Sequence, residues 1–160
     1  MTIQVGDRIP SAVFNVLKDG VQAVNTDDVF AGKKVVLFSV PGAFTPTCSA
    51  KHLPGYVQHL DEFKAKGIDV ACMAVNDAFV MDAWAKHQNV PEDGIAMLAD
   101  GTATLTDALG LEMDGSAFGL GKRSKRFALY AEDGVVKKLF VEAPGEFKVS
   151  SAEHVLSELD

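Results

Sequence analysis

Lys34-Val-Val-Leu-Phe-Ser-Val40 runs directly into Pro41-Gly-Ala-Phe-Thr-Pro-Thr-Cys48. The reading of these fifteen positions (roughly a tenth of the chain) decides the fold. Residues 34–40 are a β-branched apolar run bounded by Gly32 and Pro41, which predicts a buried strand. Thr45 suits a helix N-cap, and Pro46 suits the first helical position, where its missing N–H costs nothing. Cys48 then stands third in the helix. It lies beside unpaired backbone N–H groups and the positive end of the helix dipole, a setting that favours a thiolate over a thiol.

Downstream the spacing predicts one helix to about Lys66, with Leu53, Val57, Leu60 and Phe63 on a common face and Gly67 closing it. Ile68–Val75 reads as a second buried strand. Asn76-Asp77 caps a helix holding Phe79, Val80, Ala83 and Trp84, of which Trp84, Phe79 and Val80 read as core. Ala96–Leu98 fits another strand, and Thr102–Leu109 a short helix ended by Gly110. Phe127–Ala131 and Val135–Val141 flank Glu132-Asp133-Gly134, a hairpin signal. Ser150–Leu159 has cap residues and amphipathic spacing, so it reads as a C-terminal helix. Upstream, Val13–Leu17 and Val21–Asn25 flank Lys18-Asp19-Gly20 as a hairpin, and Thr26-Asp27-Asp28 opens a single helical turn ending near Gly32.

A βαβ unit followed by ββα is the thioredoxin-like arrangement, an α/β fold with a central mixed sheet flanked by helices. Here it carries an N-terminal β-hairpin extension. With 160 residues and 48% hydrophobic residues, the expectation is one domain over 1–160. A net charge of −7 makes nucleic acid and anionic membrane surfaces poor partners. The cluster Lys122, Arg123, Lys125 and Arg126 is a local exception, long enough to receive an anion. The first residues lack the basic start and apolar run of a signal peptide, and no stretch approaches a membrane span, so the expected location is cytoplasmic.

The chain has two cysteines, Cys48 and Cys72, which is neither a disulfide framework nor a zinc ribbon. A free thiol is a few per cent ionised at neutral pH. Lowering its pKa by about three units raises the thiolate fraction roughly thirtyfold, but intrinsic nucleophilicity falls roughly twentyfold. Ionisation alone therefore does not make a fast site. The transition state must also be held as the leaving atom gains negative charge. The candidate donors are the Thr45 hydroxyl, the N–H groups of the Cys48 turn, and an arginine, whose donors are fixed and permanent.

Val40-Pro-Gly-Ala-Phe-Thr-Pro-Thr-Cys-Ser49, followed by His52-Leu-Pro-Gly55, resembles the peroxidatic motif of the Prx5 (type II) subfamily of peroxiredoxins. Ala71-Cys-Met-Ala-Val-Asn-Asp-Ala-Phe-Val80 and Lys122-Arg-Ser-Lys-Arg-Phe-Ala-Leu-Tyr130 are similar to that subfamily as well. The resemblance implies an antioxidant thiol peroxidase acting on hydrogen peroxide or small organic hydroperoxides. It implies that Cys48 is the peroxidatic cysteine, oxidised to a sulfenic acid. Thr45 would bond thiolate and peroxide, Pro41 would shield the sulfur, and Arg126, not Arg123, would be the active-site arginine. The reductant would be glutathione, glutaredoxin or thioredoxin, and the protein a homodimer. No cysteine follows Cys72 in the sequence, so the expected cycle uses one cysteine and an external thiol, with no metal or cofactor.

Other readings compete at individual positions. Cys72, with Val70 and Ala74 on its face, reads as a buried structural thiol. His52, at i+4 from Cys48, could lower the thiol pKa as a cation or bind a metal, but a structural or supporting role is the main expectation. Sequence physics alone does not choose between Arg123 and Arg126. Phe44, Phe79 and Phe118 could line a dimer interface. Two other functions compete with the peroxidase: a disulfide oxidoreductase, against which Thr45 occupies the position of a first Cys-x-x-Cys thiol, and a redox sensor whose oxidation changes partner binding.

Overall fold

A computed structural model describes residues 2–159. The N-terminal hairpin is β1 (Val13–Leu17) and β2 (Val21–Asn25). Asn25, one residue earlier than the sequence suggested, caps α1 (Thr26–Phe30). It accepts from the Asp28 N–H while the Asp28 carboxylate accepts the Asn25 N–H. The apolar run becomes β3 (Lys34–Val40), and after a helical segment comes β4 (Ile68–Ala74). Then follow α4 (Ala78–His87), β5 (Ile95–Ala99) and α5 (Thr104–Leu109), with α2 (Leu53–Gln58) and α3 (Leu60–Ala65) belonging to the earlier segment. A small ribbon of β6 (Glu112–Asp114) and β7 (Lys122–Ser124) precedes the hairpin of β8 (Phe127–Glu132) and β9 (Val135–Val141). The last helix is α6 (Ala152–Glu158), capped by the Ser151 hydroxyl.

The main sheet runs β2-β1-β5-β4-β3-β8-β9. Strands β3, β4 and β5 are parallel, and β8 returns antiparallel to β3. This mixed sheet flanked by helices is the thioredoxin-like fold. Both faces are covered, so β3 feeds two cores by simple alternation. Val36, Phe38 and Val40 join Tyr56, Phe63, Trp84 and Val155 on one side. Val35 and Leu37 join Phe14, Phe30, Leu105 and Phe127 on the other.

Two departures from the sequence reading lie near Cys48. The helix expected to run unbroken to Lys66 is a π turn (Cys48–His52), then α2 (Leu53–Gln58), then α3 (Leu60–Ala65). Pro54 explains the first change. It has no N–H, and in an α-helix its ring would meet the carbonyl four residues back, at Ala50. The wider register relieves this, and the Leu53 N–H closes on Cys48 O instead. The break between α2 and α3 falls at His59 (φ −100°, ψ 11°). Tyr56 is fully buried on this helix, whereas Val57 is only half-buried. Phe79, expected in the core with Trp84, is 63% exposed.

Candidate active site

Helical backbone begins at Pro46, and the Ser49 N–H donates to Thr45 O at 3.0 Å. Thr45 thus holds the cap position with its carbonyl. Its hydroxyl does not cap the helix but donates to Gly42 O at 2.6 Å. The turn before it is tightly tied. The Ala43 N–H donates to Asn76 Oδ1 at 2.9 Å, and Phe44 takes φ +64°, a left-handed conformation costly for a bulky residue. The Phe44 ring is turned out, 50% exposed, with its edge against His87.

Cys48 follows, in the first turn as expected. Its side chain is fully buried in the apolar cluster beneath the helices. Arg126, at the start of β8, reaches it: Nη2 donates to Sγ at 3.2 Å. The guanidinium is held from two further directions. Nη1 donates to His52 Nδ1 at 2.8 Å, and the Phe147 ring lies 5.9 Å from its centre. Arg123 goes elsewhere. Its Nε donates to Leu120 O and its Nη1 to Pro41 O at 3.3 Å. Gly42 permits that approach, since a Cβ there would stand 2.8 Å from Arg123 Nη1. The basic cluster is therefore not one anion site: Lys122 pairs with Asp107 at 3.0 Å, Arg123 binds the Pro41 carbonyl, and Arg126 reaches the Cys48 sulfur.

His52 is neutral. Burial first, and then the Arg126 charge, hold its pKa down to about 3. Phe38, Tyr56 and Phe147 surround it at centroid distances of 5.0, 5.7 and 5.0 Å. Its tautomer follows from its partners. Arginine can only donate, so Nδ1 is the bare acceptor; the Ser150 carbonyl can only accept, so Nε2 carries the proton and donates at 3.0 Å. Both nitrogens are engaged, so His52 is neither the cation nor the metal ligand that its spacing allowed. Cys72 faces the same cluster from β4, and burial, followed by the charge of Cys48, pushes its thiol well up.

A cavity of about 210 Å³ opens beside the site. Pro41, Thr47, Met113 and Arg126 line it, with Lys125 and Pro144 farther along. Sequence reasoning missed the segment between β9 and α6, which supplies Phe147 and the Ser150 carbonyl. It has no motif of its own: one aromatic, Phe147, and two serines, Ser150 and Ser151, stand before the helix.

Fold and site together define a thioredoxin-like redox protein built around a cysteine with a guanidinium on its sulfur. A family model described as Redoxin matches residues 4–156. The chain is 51% identical to "Peroxiredoxin-2E-2, chloroplastic" of Oryza sativa subsp. japonica, covering 99% of this chain and 73% of that protein. It is 47% identical to "Peroxiredoxin-2B" of Arabidopsis thaliana over 98% of both. Among solved structures, reduced Prx3 of Vibrio vulnificus in complex with H2O2 superposes with a TM-score of 0.95 at 52% identity, covering 99% of this chain and 100% of that one. The chain belongs to the Redoxin family and, within it, to the peroxiredoxins. It is a thiol-dependent peroxidase.

Proposed function

We propose that Cys48 is the peroxidatic residue, with Arg126, Thr45 and Pro41 as its partners, in a cycle completed by external thiol. The Cys48 thiolate attacks one peroxide oxygen, an S–O bond forms, and the O–O bond breaks. Sulfur is oxidised to the sulfenic acid. The departing hydroxide or alkoxide takes a proton and leaves as water or alcohol. A thiol then condenses with the sulfenic acid, releasing water, and a second thiol displaces the mixed disulfide.

The observation that carries this reading is the Arg126 Nη2 donor 3.2 Å from Sγ. A guanidinium there stabilises charge on both the attacking sulfur and the oxygens in line with it. Thr45 spends its proton on Gly42, which leaves its oxygen lone pairs to accept from a peroxide O–H. Pro41 limits the site on the cavity side. Hydrogen peroxide and small organic hydroperoxides suit a cavity of about 210 Å³, and the Vibrio relative's H2O2 complex supports the same substrate class. Steady-state peroxide consumption with glutathione, glutaredoxin and thioredoxin, each alone, tests the cycle. Turnover with external thiol that persists in Cys72→Ser is expected. Stoichiometric oxidation with no turnover under any thiol would favour a sensor, and insulin reduction would favour a disulfide oxidoreductase.

The assembly in this reading is a homodimer. Phe79 on α4 is 63% exposed, Phe44 is 50% exposed with its ring on His87 of the same helix, and Phe118 is 85% exposed. Sedimentation of Phe79→Glu as a monomer would support that face as the contact. The compartment in this reading is the cytoplasm, where free thiols stay reduced. Since the relatives include proteins named chloroplastic, cell fractionation decides it.

A further inference from the structure

We propose that Glu142 is a positioning residue for peroxide attack, acting through Ser150 and His52 on the Arg126 guanidinium. This rests on the roles assigned above to Cys48 and Arg126. Glu142 lies just past β9 and is nearly buried, 7% exposed. One carboxylate oxygen, Oε2, accepts three donors: the Lys148 N–H at 2.7 Å, the Ser150 N–H at 2.8 Å and the Ser150 hydroxyl at 2.7 Å. Three donors on one oxygen call for a full negative charge, which neutral acceptors match poorly. Those bonds fold residues 142–150 back and leave the Ser150 carbonyl facing the helical segment. The Glu142 N–H also donates to Arg126 O at 3.0 Å, so the same residue holds the backbone of the arginine it serves.

The Ser150 carbonyl then takes two donors, His52 Nε2–H at 3.0 Å and Tyr56 O–H at 2.8 Å. Tyr56 stays protonated, because burial pushes its hydroxyl well up. The carbonyl's two lone pairs are used, and its direction is set. That bond puts the His52 proton on Nε2 and leaves Nδ1 bare for Arg126. A flipped tautomer would turn an N–H against Arg126 and push the guanidinium off the sulfur. Phe147, in the same loop, packs edge-on against His52 at 5.0 Å and faces the guanidinium. The loop is thus a clasp with Glu142 as its fastening, and the last link in the chain is the bond to Cys48.

The test is three measurements on intact protein, the first with selectively ¹⁵N-labelled imidazole. NMR of His52 at neutral pH is expected to show one Nε2–H tautomer in wild type and a mixture in Glu142→Ala. Stopped-flow oxidation by H2O2 is expected to slow on the order of tenfold to a hundredfold in Glu142→Ala, as misplaced catalytic groups do. Alkylation of Cys48 by iodoacetamide should change less than about threefold, because it needs no oxygen-directed donor. Glu142→Gln, whose neutral oxygen matches the three donors less well than a carboxylate, should fall between Glu142→Ala and wild type in both tautomer and peroxide rate. Should Glu142→Ala fail to fold, Ser150→Ala removes only the hydroxyl bond and is read the same way. An unchanged tautomer with an unchanged peroxide rate would overturn the proposal, as would equal losses in oxidation and alkylation. Slow oxidation of the wild type would sink the Cys48 reading and this proposal with it, and a tautomer that still responds to Glu142 would show which link had failed.

Discussion

Cys48 and Cys72 lie in the same apolar cluster, and neither exposes its side chain. Cys72 sits in the middle of β4, paired across to Phe38, and its thiol is pushed well up by burial and by the nearby Cys48 charge. Cys48 sits at the start of a helix, on a π turn, with a guanidinium on its sulfur. Burial alone makes a cysteine inert. What separates the two is therefore the donor set, and accessibility has little to do with it. Desolvation, which raises the Cys72 thiol, strengthens the Arg126–Cys48 interaction, because charges attract more strongly away from water. In the structure the sulfur is covered, and a small cavity at Pro41, Thr47 and Arg126 adjoins it. Phe44, at φ +64°, and the π turn are two departures from regular backbone in the same stretch of chain.

The comparison breaks most sharply on exchange of the two thiols. Cys48→Ser should abolish peroxide consumption, whereas Cys72→Ser should retain most turnover with external thiol, both read by the loss of H2O2. A near-complete loss in Cys72→Ser would make Cys72 a resolving residue.

A second sharpening uses the neutral His52. Its folded pKa, about 3, lies below the ordinary value near 6.5. As pH falls from about 6.5 towards about 3, the unfolded chain takes up a proton there and the folded one does not, so this group removes stability at about 1.4 kcal/mol per pH unit. Urea unfolding should show the stability advantage of wild type over His52→Gln shrinking across that window. An advantage that grows on acidification would mean a charged His52.

The smallest effect concerns His59, which bridges Glu62 at 2.7 Å and Glu153 at 3.0 Å, joining α3 to α6. The hydrogen bond to Glu62 is the main cause of its raised pKa. Its contribution is fully present below about pH 6.5 and lost as pH rises through the raised folded value. For a largely solvent-screened bridge, His59→Gln should lower Tm slightly at pH 6 and not at pH 9. The His59 ring bonds these two carboxylates and neither Cys48 nor Arg126, so the peroxide rate should not follow it.

The legible parts of the molecule were those where one physical rule dominates. Buried parallel strands read as unbroken apolar runs, which placed β3, β4 and β5, and the Gly-containing turns placed both hairpins. The place of Cys48 in the first helical turn was legible from strand, turn, Thr45 and Pro46 in series. Arg126 was not separable from Arg123 by local physics, since both sit in one basic stretch. Only the antiparallel return of β8 beside β3 carries Arg126, and not Arg123, to the sulfur. The π turn was written in Pro54, but the apolar spacing of Leu53, Leu60 and Phe63 reads smoothly through it. The ribbon of β6 and β7 is too short for alternation to register. The Ser150 carbonyl's partners, His52 and Tyr56, lie about a hundred positions away, and Glu142, whose partners Lys148, Ser150 and Arg126 are nearer, stands in a stretch with no motif to mark it.

The central claim is that the guanidinium at 3.2 Å directs oxygen chemistry at Cys48. Stopped-flow rates for Arg126→Ala with H2O2 and with iodoacetamide test it most directly. Oxidation should fall on the order of a hundredfold to a thousandfold, the cost of removing one transition-state donor, while alkylation falls far less. Equal losses in the two reactions would contradict the account and leave Arg126 as no more than a general influence on the thiol.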